Sequence, residues 1–154
     1  MTYSFKEQLT AGEKSEQYLD RFFSQWYSIT PVGMAEQRQG IDRIFTRADG
    51  TTFPIEYKTD WTAGKTGNAF VETVSVDTAN KPGWAYSSKA RYLIYYVPGD
   101  SLIYVIEFSR LRSHLQRWAK QYQTRAIPNQ GYRTKGLLVP LMEFEKIAKQ
   151  VISI

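Results

Sequence analysis

The sequence predicts a mixed α/β fold, in which an amphipathic helix precedes a sheet built largely from hairpins. Apolar residues recur at helical spacing over residues 4–27, and Pro31 lies beyond the end of this pattern. Apolar, β-rich segments then alternate with tight turns, of which Asp49-Gly50 is the clearest hairpin signal. No repeat or linker interrupts the 154 residues. We therefore expect one domain over residues 1–154, with a single core.

The predicted elements of the first half follow in chain order. Residues 29–34 form a short candidate strand, and residues 41–45 and 52–58 form the two strands of a hairpin around Asp49-Gly50. A glycine-containing loop follows over residues 59–68. Residues 69–76 are again β-rich.

The second half begins with an irregular link at residues 81–84 and contains the clearest strand of the chain at residues 91–97. A tight turn leads to another strand over residues 102–107. Ser109 is a candidate N-cap for a basic helix that ends near Tyr122. The last predicted segments are a loop over residues 127–135, a short strand at residues 137–140 and a helix over residues 142–152.

Composition excludes several classes of chemistry. The chain has no cysteine and one histidine, His114. Disulfides, thiolate nucleophiles and cysteine-based zinc sites are therefore absent, and a multi-histidine metal site or a Ser-His-Asp triad lacks its residues. No apolar run approaches the length of a membrane helix, and the first residues do not resemble a signal peptide. We expect a soluble cytoplasmic protein with no membrane partner.

The net charge of +5 is unevenly distributed. Residues 1–60 hold a slight excess of acidic residues, whereas the segment 110–135 contains no acidic residue and has Trp118, Tyr122 and Tyr132 among its cations. Cations neutralise phosphates and aromatic rings stack on exposed bases, so this segment predicts nucleic-acid binding; a solvated helix face is the alternative. The candidate nucleic-acid-binding residues are Arg110, Arg112, Arg117, Lys120, Arg125, Arg133 and Lys135.

The most informative motif joins Gly40-Ile41-Asp42 to Glu56-Tyr57-Lys58 across the predicted hairpin. Alternate residues of a strand share a face, so Glu56 and Lys58 point the same way, and the hairpin can bring Asp42 beside them. Two carboxylates could hold Mg²⁺, and the lysine could orient an attacking water and offset charge on phosphorus. The alternative is a pair of ordinary charges on the solvent face of a hairpin.

This pattern resembles the PD-(D/E)XK nuclease superfamily, which has the restriction-endonuclease-like fold. The family often also has a Gly-x-x-(Ser/Ala)-Glu segment in the helix before the sheet, and the sequence from Gly12 to Glu16 matches it; Gly40 stands where the family has proline. The resemblance implies a mixed central β-sheet flanked by helices. It further implies that Asp42, Glu56 and the carbonyl of Tyr57 bind the metal, that Glu16 binds it directly or through water, and that Lys58 is the catalytic lysine.

From this resemblance we expect a Mg²⁺-dependent DNA endonuclease, with site-directed cleavage of duplex DNA as in homing, restriction or phage enzymes. Cutting both strands with one site per chain implies a homodimer or higher homo-oligomer. A Holliday-junction resolvase or another structure-specific nuclease of the same fold is an alternative, as is a nuclease acting on RNA or DNA ends. A non-catalytic nucleic-acid-binding module is the alternative from another class.

Overall fold

The computed structural model describes residues 5–154, with side chains from residue 11 onward. Two short 3₁₀ turns lie at Asp77–Ala79 and Pro98–Asp100. The helices are α1 Phe5–Phe23, α2 Met34–Arg38, α3 Ala63–Thr66, α4 Trp84–Ser87, α5 Phe108–Gln121 and α6 Leu141–Ile147. The strands are β1 Ser28–Pro31, β2 Arg43–Thr46, β3 Thr52–Thr59, β4 Asn68–Val76, β5 Lys81–Pro82, β6 Tyr92–Val97, β7 Leu102–Glu107, β8 Thr124–Pro128, β9 Arg133–Pro140 and β10 Gln150–Ser153.

A six-stranded sheet forms the centre of the fold, with the strand order β1-β2-β3-β6-β7-β10. Strands β3 and β6 run parallel, and the other neighbours in this sheet are antiparallel. A second, antiparallel sheet has the order β5-β4-β9-β8. The predicted fold class is therefore confirmed: the protein is mixed α/β, with a mixed central sheet flanked by helices.

The two faces of the central sheet are covered by different elements. On one face, Leu19 and Phe23 of α1 pack against Phe45, Ile55 and Tyr57. The other face packs against α4, α5, α6 and the four-stranded sheet, with Trp118 and Phe144 among the fully buried side chains. Strand β3 is thus covered on both faces and paired on both edges. Among residues 5–154, no helix has the length and apolar character needed to cross a bilayer.

The predicted hairpin forms, but Asp42 lies just before its first strand rather than inside it, because β2 begins at Arg43. The prediction of a strand over residues 41–45 is therefore shifted by two residues at its start. The main chain still joins the ladder at this point, since the Asp42 amide donates to the Ile55 carbonyl at 2.8 Å. Asp42 consequently sits at the end of the ladder, where its side chain can turn towards β3.

The segment predicted as a loop over residues 127–135 forms a β-hairpin instead. Strands β8 and β9 pair from Thr124 to Pro128, and Gly131 adopts a φ of 84° in the connecting turn. All five residues of β8 are exposed, so this strand has no buried face and no apolar alternation that could reveal it in the sequence.

The prediction of a closing helix over residues 142–152 is also wrong in its second half. Helix α6 ends at Ile147, and β10 pairs antiparallel with β7 as the last strand of the central sheet. The Lys149 amide donates to the Val105 carbonyl at 2.8 Å. The chain therefore pairs with the edge of the sheet at β7 instead of continuing the helix. Tertiary pairing here overrides the local helical pattern.

Candidate active site

Asp42 binds the backbone of β3 directly beside the Glu-Tyr-Lys motif. Its Oδ2 accepts a hydrogen bond from the Tyr57 amide at 2.8 Å, in the position that a main-chain carbonyl of β2 would occupy if the strand continued. The N–H and C=O of one residue face the same edge of an antiparallel strand, so the Tyr57 carbonyl lies on this edge too. The three groups that the sequence predicts as metal ligands around β3 are therefore neighbours.

Glu56 and Lys58 point to the same face of β3, opposite to Tyr57. Glu56 is 4% exposed, and its Oε1 lies 3.4 Å from the Lys58 Nζ, which extends to a half-exposed position. Its second oxygen, Oε2, is buried and has no hydrogen-bond partner among the described residues. A buried carboxylate oxygen without a partner is unfavourable unless a cation or water satisfies it.

Glu16 approaches Asp42 from the opposite layer, on helix α1. The buried Ser15 next to it hydrogen-bonds the hydroxyl of Thr59 and so ties α1 to the end of β3. Arg43 joins the two layers, because its Nη2 lies 3.4 Å from Glu16 Oε2 and its Nη1 donates to the Asp42 carbonyl at 2.8 Å. The structure thus brings Glu16, Asp42, Glu56 and Lys58 into one region at the end of β3.

The electrostatics of the site agree with this geometry. Burial raises the pKa of Glu56 above its ordinary value; the nearby Lys58 ammonium and Ser88 hydroxyl lower it in part, and the Asp42 carboxylate raises it further. Burial also raises the pKa of Glu16, and the charge of Asp42 adds to this effect. Asp42 therefore repels both glutamates, and a bound cation would relieve the repulsion among all three carboxylates.

The carboxylates of this site could hold Mg²⁺ with few protein ligands. Within the described residues, no cluster of three or more His, Cys, Asp and Glu side chains is preformed for a metal ion. Proteins commonly hold Mg²⁺ through one or two carboxylates, with water and substrate phosphate completing the octahedron. Asp42 and Glu56 are the two carboxylates that could do so, and the Glu56 Oε2 is buried without a hydrogen-bond partner among the described residues.

Sequence reasoning missed the side chains that hold these groups in place. Asp20 accepts from Arg43 Nε at 3.0 Å and from the Tyr57 hydroxyl at 2.8 Å, which orients both. Its position four residues after Glu16 places it on the same helix face, and this spacing is the signal that could have identified it. On the other side of the site, Lys58 Nζ lies 5.8 Å from the ring centroid of Trp84.

Glu72 is another carboxylate close to Lys58. Burial raises its pKa, and the positive charge of Lys58 opposes this effect. Strand β4 brings Glu72 to the site from the four-stranded sheet, whereas Asp42, Glu56 and Lys58 all belong to the region around the hairpin. Nothing in the spacing of Glu72 links β4 to β3, so its place beside Lys58 follows from the packing of the two sheets.

The predicted nucleic-acid-binding residues separate into two groups. Arg112 donates to the carbonyls of Ala85 and Ser88, and Arg117 pairs with Glu143 at 2.8 Å, so both guanidinium groups already serve packing within the protein. The other predicted cations are Arg110 and Lys120 on α5, and Arg125, Arg133 and Lys135 on the β8–β9 hairpin. Of these five, only Lys135 is half-buried and the rest are exposed.

Comparison with known proteins gives one solved structure and no match among protein-family models or curated proteins. The solved structure to which this chain is similar is that of a bacterial homing endonuclease. That protein is I-Ssp6803I; the two chains share 20% sequence identity, with a TM-score of 0.48, over 72% of this chain and 74% of that chain.

Proposed function

We propose that this chain is a nuclease of the PD-(D/E)XK superfamily that hydrolyses DNA phosphodiester bonds with Mg²⁺ held by Asp42 and Glu56. The observation that carries the proposal is the state of Glu56: a 4% exposed carboxylate with one oxygen unpartnered, next to Asp42 and 3.4 Å from the Lys58 ammonium. Ordinary charges of a surface hairpin would be solvated, so the burial of Glu56 favours the proposal over that alternative.

The arrangement supplies the groups that phosphodiester hydrolysis requires. Mg²⁺ at Asp42, Glu56 and the Tyr57 carbonyl would supply a Lewis acid for the charge that develops on the phosphoryl oxygens. Lys58 extends from the same strand face, where its ammonium can orient the attacking water and stabilise the same charge. Glu16, held by Arg43, can orient water at the site.

The reaction balances without a redox partner or covalent intermediate. The water oxygen forms a bond to phosphorus while the bond from phosphorus to the 3′ oxygen breaks. The water loses its proton to solvent and the 3′ oxygen gains one, which leaves a 5′-phosphate and a 3′-hydroxyl. The exposed cations of α5 and the β8–β9 hairpin favour a polyanionic substrate.

Duplex DNA is the proposed substrate and a homodimer or higher homo-oligomer the proposed active form. Each chain has one such site within its described residues, and each site cuts one strand, so cleavage of both strands needs two sites related by symmetry. A junction resolvase or another structure-specific nuclease would use the same chemistry on a branched substrate. Assays on linear, plasmid and four-way-junction DNA distinguish these possibilities.

Cleavage of labelled DNA with and without Mg²⁺ tests the proposal. Asp42→Ala, Glu56→Gln and Lys58→Ala should each lower the cleavage rate by about 100-fold or more, because each removes a group that stabilises the transition state. Glu13→Gln is the matched control, since Glu13 is an exposed glutamate on the same helix as Glu16. Equal cleavage by the wild type and by Asp42→Ala and Lys58→Ala would refute the catalytic assignment.

Thermal melting separates the nuclease from a non-catalytic binding module. Mg²⁺ or Ca²⁺ should raise the melting temperature of the wild type, because a ligand that binds only the folded state stabilises it. The shift should disappear in Glu56→Gln and persist in Glu13→Gln. A module whose acidic residues are structural would melt at the same temperature with and without the cation, and its binding to DNA would be indifferent to Asp42 and Lys58.

A further inference from the structure

A cleft of about 590 Å³ opens beside Lys58. One wall is the chain that leaves β3, including Asp60 and Trp61, and the other wall is the outer face of the four-stranded sheet. Its volume lies in the range of about 300 to 1,000 Å³ that small-molecule sites occupy. The cleft is therefore continuous with the proposed hydrolytic site and large enough for one nucleotide.

The alternation of β4 determines which side chains face the cleft. Ala69 and Val71 are fully buried in the core, so Asn68 and Phe70 point the opposite way, into the cleft. The far end of the Phe70 ring lies against Gly136 of β9, where an added Cβ would come within 2.5 Å of the ring Cζ. An apolar aromatic floor results.

The exposed edge of the cleft combines the three kinds of group that bind nucleotides. Trp61 is 55% exposed and offers an indole face for stacking. Arg125, on the exposed strand β8, offers a guanidinium to a phosphate, and Asn68 has a carboxamide with donors and an acceptor for a base edge.

The segment that carries Trp61 is fixed in advance of any ligand. Asp60 Oδ1 accepts from the amides of Thr62 and Ala63 at 3.0 and 2.9 Å. Its Oδ2 accepts from the hydroxyl of Tyr95, which belongs to the central sheet. One carboxylate thus clamps the chain on both sides of Trp61, and such preorganisation reduces the entropy lost on binding.

We propose that this cleft binds one unstacked nucleotide of the DNA strand being cut, with Trp61 stacked on its base and Arg125 on a neighbouring phosphate. This inference rests on the proposed function, because it places the nucleotide next to the phosphodiester at Lys58. A base inside an intact duplex presents only its edges, so an indole face and an apolar floor can be reached only by a base that has left the stack. The substrate class that follows is DNA in which the nucleotide beside the scissile bond is unpaired or easily extruded.

Fluorescence anisotropy with dye-labelled oligonucleotides tests the pocket without cleavage, in buffer free of divalent cations. The wild type should bind a duplex with one unpaired nucleotide about tenfold more tightly than the fully paired duplex, since stacking of one base on an aromatic side chain contributes on that scale. Trp61→Ala should remove this preference. Trp26→Ala is the matched control, because Trp26 is 58% exposed but lies in a different groove, and it should keep the preference.

The outcomes separate the pocket from the nuclease. Equal affinity of the wild type for both duplexes, or a preference that survives in Trp61→Ala, overturns the nucleotide pocket; Mg²⁺-dependent cleavage that requires Asp42 would then leave the proposed function standing. A preference that depends on Trp61, without cleavage of any DNA, supports the pocket and overturns the hydrolytic function. Because Trp61 is exposed, the melting temperature of Trp61→Ala should stay close to that of the wild type.

Discussion

Gly40 shows how one residue determines the position of Asp42. Its φ is +76°, and an added Cβ would lie 2.7 Å from the Ser88 Oγ and 3.0 Å from the Ser88 Cα. The Ser88 hydroxyl donates to the Gly40 carbonyl at 3.0 Å, so the chain before Asp42 rests on the segment after α4. Only glycine combines this backbone conformation with so close an approach.

We therefore expect Gly40→Ala to destabilise the protein by about 1 to 3 kcal/mol and to reduce cleavage by more than its effect on stability explains. The backbone must move away from Ser88, and Asp42 moves with it. Urea unfolding and the cleavage rate measure the two effects. Gly67→Ala is the matched control, because Gly67 has the same φ of +76° with no atom within 4 Å of the added Cβ. Equal losses of stability and activity in both variants would mean that the Ser88 contact does not position Asp42.

Much of the site could be predicted because its residues are close in sequence or joined by one hairpin. The alternation of β3 places Glu56 and Lys58 on one face, and the Asp49-Gly50 turn brings Asp42 beside them. Glu72 could not be assigned in this way, because its proximity to Lys58 depends on how the second sheet packs against the first. Trp61 is close to Lys58 in sequence, but the cleft that it lines depends on the same packing. Sequence periodicity describes one element at a time and contains no information about that packing.

At the scale of elements, α5 and α6 are joined through one buried carboxylate. Glu143 is 4% exposed and accepts from Trp118 Nε1 at 2.7 Å and from Arg117 at 2.8 Å. The hydroxyl of Tyr122 donates to the same oxygen at 3.1 Å. Although burial favours the neutral acid, these hydrogen bonds outweigh it and hold the pKa of Glu143 below its ordinary value of 4.5.

Glu143→Gln should lower the free energy of unfolding at pH 7 by about 1 to 2 kcal/mol, the scale of hydrogen bonds to a charged group. The pKa of Glu143 is lower in the folded protein than in the unfolded chain. The ionised carboxylate therefore stabilises the folded protein fully at a pH above its pKa in the unfolded chain. This contribution decreases as the pH falls through the pKa that Glu143 has in the folded protein. Urea unfolding between pH 7 and pH 3 should show the two proteins converging in stability. Glu145→Gln, at an exposed position of the same helix, should match the wild type throughout; a gap for Glu143→Gln that stays constant with pH would contradict this account.

The basic segment, residues 110–135, shows why secondary structure is harder to predict from sequence than the distribution of charge. The sequence marks residues 110–135 as a continuous run of cations, whereas the structure divides them between α5, with its buried face of Leu111, Leu115 and Trp118, and the exposed β8–β9 hairpin. The apolar spacing of α5 predicts a helix, but β8 buries none of its residues and so leaves no periodic signal. Charge and burial together, and not charge alone, indicate which cations remain accessible to a ligand.

At the scale of the whole molecule, the net charge of +5 is unevenly placed. The carboxylates of the candidate site lie near α1, whereas exposed cations lie on the second sheet. The hairpin cation Arg125 lines the cleft beside Lys58, and Arg133 lies on the partner strand. A polyanion that enters the cleft would meet Arg125, and Arg133 is exposed on the same hairpin, whereas Arg21 on α1 and Arg47 at the β2–β3 turn are exposed outside the cleft lining. Local placement, rather than net charge, should therefore determine binding to DNA.

The salt dependence of DNA binding distinguishes an effect of the local placement of cations from an effect of the net charge. The double variant Arg125→Ala/Arg133→Ala and the control Arg21→Ala/Arg47→Ala each remove two positive charges, so their net charges are equal. If both hairpin cations contact phosphates, the first variant should flatten the slope of log K against log salt by about 1.8, because each lost phosphate contact contributes about 0.9. The control should keep the wild-type slope. Anisotropy titrations from low to moderate salt measure both slopes, and equal flattening in the two variants would show that DNA responds to the total charge and not to the hairpin.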